Sequence, residues 1–131
     1  MYSNATKENI NYLASLTGIP KEICHAWIFC EAQSEENHSP TNPLNIPYEG
    51  SPRPLQINQI NGNAIYDDVG SGLADAWAII RTKKYERFLA AILTQDNEFI
   101  VNELIASPWN REVYQLHMRL FLNKNYPLWD Q

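Results

Sequence analysis

Residues 27–46 read WIFCEAQSEENHSPTNPLNI, and the reading of this stretch decides both fold and chemistry. Glu31 follows Trp27, Ile28, Phe29 and Cys30 directly. Upstream, Pro20 suits the first turn of a helix that runs to about Ala32 or Ser34, with Ile23, Trp27 and Cys30 at core spacing. Glu31 then lies one turn after Trp27 on the same face. Two effects would keep its carboxyl protonated: an apolar surrounding disfavours the charge, and so does the negative end of the helix macrodipole. A protonated carboxyl near neutrality is what a general acid requires. The competing reading is a solvated helix-end glutamate, the ordinary state of that residue.

Outward from this helix, NATKENINYLASLTGI spaces Ile10, Leu13 and Leu16 for a first amphipathic helix, with Asn4 as candidate cap and Gly18 as its close. From His38 to about Tyr66 the helical period vanishes, and five of the eight prolines fall there. Within it, RPLQINQI alternates as a short strand and NGN at 61–63 supplies a hairpin turn. The alternation predicts Leu55 and Ile57 toward the core and Gln56 and Asn58 on the opposite face. Helices resume at SGLADAWAIIRTKKY, with Ser71 as candidate cap and Leu73, Ala76, Trp77 and Ile80 on one face. YERFLAAIL and DNEFIVNELIAS follow, the latter capped by Asp96, and Ser107 with Pro108 starts a last helix. Phe88, Trp77 and Trp109 sit at core spacing. The fold class is therefore mainly α, with a small β excursion.

Length and a 44 % apolar composition fit one domain over residues 1–131. The formal net charge of −5 and the lack of clustered Lys and Arg argue against nucleic acid as a partner. No apolar run is long enough for membrane insertion, and MYSNATKENI lacks a signal peptide's basic and apolar regions, so Sec export is not expected. Cys24 and Cys30 diverge by about 240° on a helix, which predicts two reduced, inert thiols. Cys24, His25, Cys30 and His38 match no zinc spacing, so neither a metal nor another cofactor is expected.

The order of these elements resembles a known family. A helical W…E, a polar loop, NPLNI, a variable wing, an aromatic followed by acids and a Gly before an Ala-rich helix, then FLAAIL and ELIASPW, is similar to the small phage and prophage lysozyme-like domains. The likeness runs from Trp27 to Trp109, roughly two thirds of the chain. It implies an α+β lysozyme-like fold, with a helical body, a wing at about 38–66 and a saccharide cleft between them. EAQSEENHS departs from the pattern, because many relatives carry Gly soon after the acid.

Carried over residue by residue, the resemblance makes Glu31 the catalytic acid, while Asn42 and Asn45, with Pro43 and Leu44, line the cleft wall beside it. Tyr66 matches the aromatic after the wing. Pro108 and Trp109 match the start of the final helix and are taken as structural. Tyr48 and Tyr66 could stack on sugar rings, with local packing as their ordinary reading, and Gln56 and Asn58 could offer amides to sugar hydroxyls or N-acetyl groups, with a solvated edge strand as theirs. The implied partner is bacterial peptidoglycan, met by a monomer made in the bacterial cytoplasm and delivered through a holin or with a virion. The implied activity is cleavage of the MurNAc-GlcNAc strand. A hydrolase needs a second group opposite the sugar ring, for which Glu35, Glu36, Glu49, Asp67 and Asp68 are candidates. Glu35 has an ordinary solvated reading, and Asp67 and Asp68 an ordinary reading as helix caps. A lytic transglycosylase would manage with Glu31 alone, the muramic acid 6-hydroxyl attacking to give a 1,6-anhydro product. The rivals outside catalysis are a saccharide-binding or structural part of a phage tail or related assembly, and a helical interaction protein with no cleft.

Overall fold

The computed structural model describes residue 4 and residues 6–31, 39–48 and 53–109. Along these residues run α1 (Lys7–Thr17), α2 (Lys21–Glu31), β1 (Gln56–Ile60), β2 (Asn63–Tyr66), α3 (Val69–Ile80), α4 (Glu86–Thr94) and α5 (Asn97–Ala106), with a 3₁₀ turn Lys83–Tyr85 leading into α4. The class is mainly α with a small antiparallel hairpin, as the sequence pattern predicts. No helix among the described residues is long and apolar enough to cross a membrane.

The centre of the structure is α2, which buries Ile23, Cys24, His25, Ala26, Trp27, Ile28, Cys30 and Glu31. A helix covered nearly all round is a core helix rather than a surface one. Leu13 of α1, Leu73 and Ile80 of α3, Phe88 of α4 and Ile100 of α5 join it in one apolar cluster. Each such side chain contributes roughly 1.5–3 kcal/mol on leaving water. Trp77 departs from its expected place: it is only partly buried, and the Arg81 guanidinium lies 5.3 Å from its ring centre.

Local signals set the helix ends, with three corrections. Thr6, not Asn4, caps α1, its hydroxyl accepting from the Asn9 amide at 3.2 Å. Asn4 is instead buried, donating to the Ser39 carbonyl at 3.1 Å and accepting from the Asn9 side chain at 2.9 Å. Pro20 stands just before α2 rather than within its first turn, its carbonyl receiving the Cys24 amide. Asp68, not Ser71, caps α3, because its carboxylate reaches the Ser71 amide at 2.7 Å. That bond holds the Asp68 carboxyl below its ordinary pKa. Gly18 closes α1, and Asp96 caps α5, as expected. Residues 32–34, where α2 was expected to finish, lie outside the described residues, as does the part beyond Trp109 of the last helix expected to start at Ser107 and Pro108.

The wing is built on β2. Asn61 and Gly62, both at positive φ, turn the chain between Ile60 and its partner Asn63, as a two-residue hairpin of right-handed twist requires. On the other side of β2, the Ala64 amide donates to the Ile46 carbonyl and the Tyr48 amide to that of Gly62. The burial of β1 departs from the sequence expectation: Leu55 and Ile57 are exposed and Gln56 is buried, while Asn58 is exposed as expected. A register shift between Gln56 and Asn58 leaves Ile57 as an extra residue. The amide of Gln56 finds more partners inside than outside, donating to the Pro47 carbonyl and the Tyr66 phenol and accepting from the Arg53 amide.

Helix α3 approaches the loop before the wing at Gly72. A Cβ there would come to 2.0 Å from the Thr41 carbonyl oxygen and 3.3 Å from the Tyr66 ring. Because the nearest atom is backbone, it cannot step aside as a side chain would. Gly72→Ala is expected to destabilise the protein by about 1–3 kcal/mol, read as a lowered urea midpoint. A midpoint equal to wild type would contradict this close packing.

Candidate active site

Glu31 ends α2 within the core and is 2 % exposed. This excludes the solvated helix-end reading and agrees with the burial expected from the apolar turn before it. An ionised carboxylate placed so deep costs several kcal/mol unless donors meet it. Two N–H groups do so, from distant parts of the chain. The Asn45 side-chain amide donates to Glu31 Oε1 at 3.1 Å and also to the Glu31 backbone carbonyl at 2.9 Å. The Trp109 indole donates to Oε2 at 3.2 Å. Hydrogen bonds to a carboxylate favour its charged form, against the burial and the helix dipole that disfavour it.

The sequence NPLNI explains how Asn45 arrives there. Asn42 is fully buried and holds the loop closed: its amide nitrogen donates to the Ile46 and Ala64 carbonyls and its oxygen accepts from the Ile46 amide, each at 2.9 Å. Leu44 and Ile46 bury their side chains in the core on either side of Asn45. Asn45 itself takes φ +52°, a left-handed conformation that Asn tolerates better than most residues. Its side chain thereby reaches back to α2.

Trp109 is placed from the opposite side. The Ser107 hydroxyl accepts from the Trp109 amide at 3.2 Å, as a capping residue does, and donates to the Leu104 carbonyl at the end of α5. The Trp109 ring packs edge to face on Trp27, centroids 5.2 Å apart, and against Tyr85 at 6.1 Å. Trp27 meets Phe88 in the same manner. An aromatic box thus sets the plane of the indole whose N–H meets Glu31.

The other expected site residues separate into two groups. Asn42 is buried with its amide bound to the loop and to β2, away from any role as a free saccharide contact. Gln56 and Tyr66 belong to a buried polar chain apart from Glu31. The Tyr66 phenol donates to Asp75 Oδ2 at 2.6 Å and accepts from Gln56, while Arg53 pairs with Asp75 Oδ1 at 2.7 Å. Burial, then the bond to Asp75, pushes the Tyr66 phenol above its ordinary pKa. This chain clamps the wing to α3, so the ring of Tyr66 is core and offers no stacking face. Tyr48 is half-buried beside the core, and Asn58 is exposed on β1, its side-chain oxygen accepting from the Gln59 amide.

Of the candidate second carboxylates, Asp67 and Asp68 are exposed, Asp68 serving as the α3 cap. Glu35, Glu36 and Glu49 lie outside the described residues. Asp75 is a buried carboxylate that sequence reasoning passed over; its sole signal was an acid on the apolar side of α3. Trp109 was passed over as a site residue too, since the SPW motif announced only a helix start. Both cysteines are free and buried. Burial, followed by the neighbouring Glu31 charge, pushes the Cys30 thiol up to about 12, and burial raises Cys24 as well. Among the described residues no three His, Cys, Asp or Glu side chains gather as metal ligands.

No family model matches the chain, and neither a curated protein nor a solved structure matches it.

Three substitutions probe this geometry. Asn45→Gly keeps the left-handed backbone but deletes the donor to Glu31, for an expected loss of about 1–3 kcal/mol in chemical denaturation. Asn45→Ala should lose roughly 1 kcal/mol more, through strain at positive φ; equal stability of the two would contradict the strained turn. Tyr66→Phe should cost about 1–3 kcal/mol by leaving Asp75 and Gln56 short of a partner, and an unchanged midpoint would remove the clamp from consideration.

Proposed function

We propose that this chain is a lysozyme-like domain that cleaves the glycan strand of bacterial peptidoglycan, with Glu31 as general acid. One observation carries the proposal: residues of the NPLNI and SPW motifs, 14 and 78 positions from Glu31, converge by side-chain N–H bonds on that single carboxylate. The three anchors that suggested the family in sequence are thus one cluster in space. A chain with no use for a carboxylate at this position could fill it with an apolar side chain, often without loss of stability.

In this mechanism the protonated Glu31 gives its proton to the glycosidic oxygen as the bond to the sugar breaks. Two endings are open to it. In hydrolysis, water adds to the anomeric carbon with help from a second group, and the product carries a reducing end. In transglycosylation, the muramic acid 6-hydroxyl adds instead and returns its proton to Glu31, giving the 1,6-anhydro sugar. The second route uses Glu31 alone and fits the exposed, cap-bound position of Asp68. The biological setting we propose is phage or prophage lysis, as an endolysin or as a lysin carried on the virion.

A second reading has its own support. Both carboxylate oxygens of Glu31 accept N–H bonds and the residue is almost wholly buried, as a structural strut would be. The same scaffold would then serve as a saccharide-binding or structural component of a phage tail. Glu31→Gln separates the two. Its amide nitrogen faces one of the two buried N–H donors, so the variant should lose about 1–3 kcal/mol of stability; as an enzyme, its folded form should still bind purified cell walls yet lose at least about a hundredfold in wall-clearing rate. Clearing by Glu31→Gln at the wild-type rate would refute the catalytic role.

A further inference from the structure

We infer that Trp109 is a positioning residue for the Glu31 carboxyl group, holding its orientation and its proton affinity through the indole N–H. This rests on the catalytic reading of Glu31 and extends it to a residue that no motif assigned to chemistry. Three observations carry the inference. The indole N–H meets Oε2 at 3.2 Å, on the oxygen opposite to the one Asn45 holds. The indole ring has little freedom, since Trp27 and Tyr85 contact it edge to face and the residue is 9 % exposed. The backbone on which it stands is tied by Ser107 to the end of α5.

Indole is a donor only. It can stabilise an ionised Oε2, but it cannot accept a proton from a protonated one. The bond is therefore stronger to the carboxylate than to the acid, and it holds down the proton affinity that burial would raise. Its deletion should make Glu31 keep its proton to higher pH. A general acid works only while protonated, so activity falls as pH rises through its titration. Losing the indole N–H moves that alkaline limb to higher pH.

Two titratable groups among the described residues adjoin this centre through contacts already described. On α2 the neighbour is Cys30, whose thiol is pushed up to about 12 by burial and then by the Glu31 charge. Beyond Trp109 is the Tyr85 phenol, also raised by burial. Neither group titrates near neutrality. The segments that bring Asn45 and Trp109, residues 39–48 and 107–109, contain no Asp, Glu, His, Lys or Arg. Glu35, Glu36 and His38 lie outside the described residues, and a difference between wild type and variant removes any constant contribution from them.

The test pairs a substitution with a measurement on the intact protein. Trp109→Phe keeps a ring in the aromatic box and deletes the donor; its alkaline limb of wall clearing should move up by about one pH unit. Phe88→Leu, which disturbs the same box without touching Glu31, should lower stability and leave the limb in place. In the wild-type protein, the Trp109 indole N–H resonance should titrate with pH, and in Glu31→Gln that titration should vanish. An unmoved limb in folded Trp109→Phe, or an indole resonance indifferent to Glu31, overturns the inference while leaving the catalytic proposal standing. Absence of clearing by the wild type at every pH overturns the catalytic proposal, and the indole titration then decides whether Trp109 holds the carboxylate.

Discussion

The arrangement depends on one constraint: a carboxylate at the end of the central helix must be supplied with hydrogen-bond donors from elsewhere in the chain. Burial of a lone carboxylate costs several kcal/mol, and a hydrogen bond to a charged group contributes about 1.5–3 kcal/mol. Among the described residues two such bonds reach Glu31, together of the same order as that cost. The chain meets the requirement from both sides of α2. Asn45 comes from the loop that precedes the wing, and Trp109 from the turn that follows α5.

Much of the surrounding structure serves to deliver those two donors. Asn42 closes the loop so that Asn45 can adopt its left-handed turn, and the same side chain ties that loop to β2 through the Ala64 carbonyl. The wing is in turn fastened to α3 by the Gln56, Tyr66, Asp75 and Arg53 chain. The close approach of Gly72 to Thr41 brings α3 against the start of the same loop. On the other side, the edge-to-face contacts of Trp109 with Trp27 and Tyr85 aim the indole. The polar centre is thus held by a polar network on the wing side and an aromatic one on the α5 side.

How much of this was legible in the sequence depends on the range of the interaction. The burial of Glu31 could be read from the apolar turn before it, and the hairpin from Asn61 and Gly62, because both signals are local. Which of several neighbouring polar residues caps a helix was less legible: Asn4 and Ser71 were plausible, but Thr6 and Asp68 reached the free amides. The burial of Gln56 was not legible, because alternation alone favours leucine and isoleucine inside, whereas the Gln56 side chain meets three hydrogen-bond partners there. The indole bond of Trp109 to Glu31 spans 78 positions, and no pattern of spacing announces a contact at that range. NPLNI and SPW were visible as motifs; that their side chains share one carboxylate was not.

The physical content of the functional proposal is that this buried carboxyl group carries a proton to a glycosidic oxygen, and is not merely a strut between two motifs. Mass spectrometry of the material released from purified peptidoglycan by the wild-type protein tests that claim most directly. The account predicts muropeptides cut within the glycan strand, ending either in reducing sugars or in 1,6-anhydro-muramic acid. Glycan strands left intact on walls from several bacteria, by a protein shown to be folded, would contradict it.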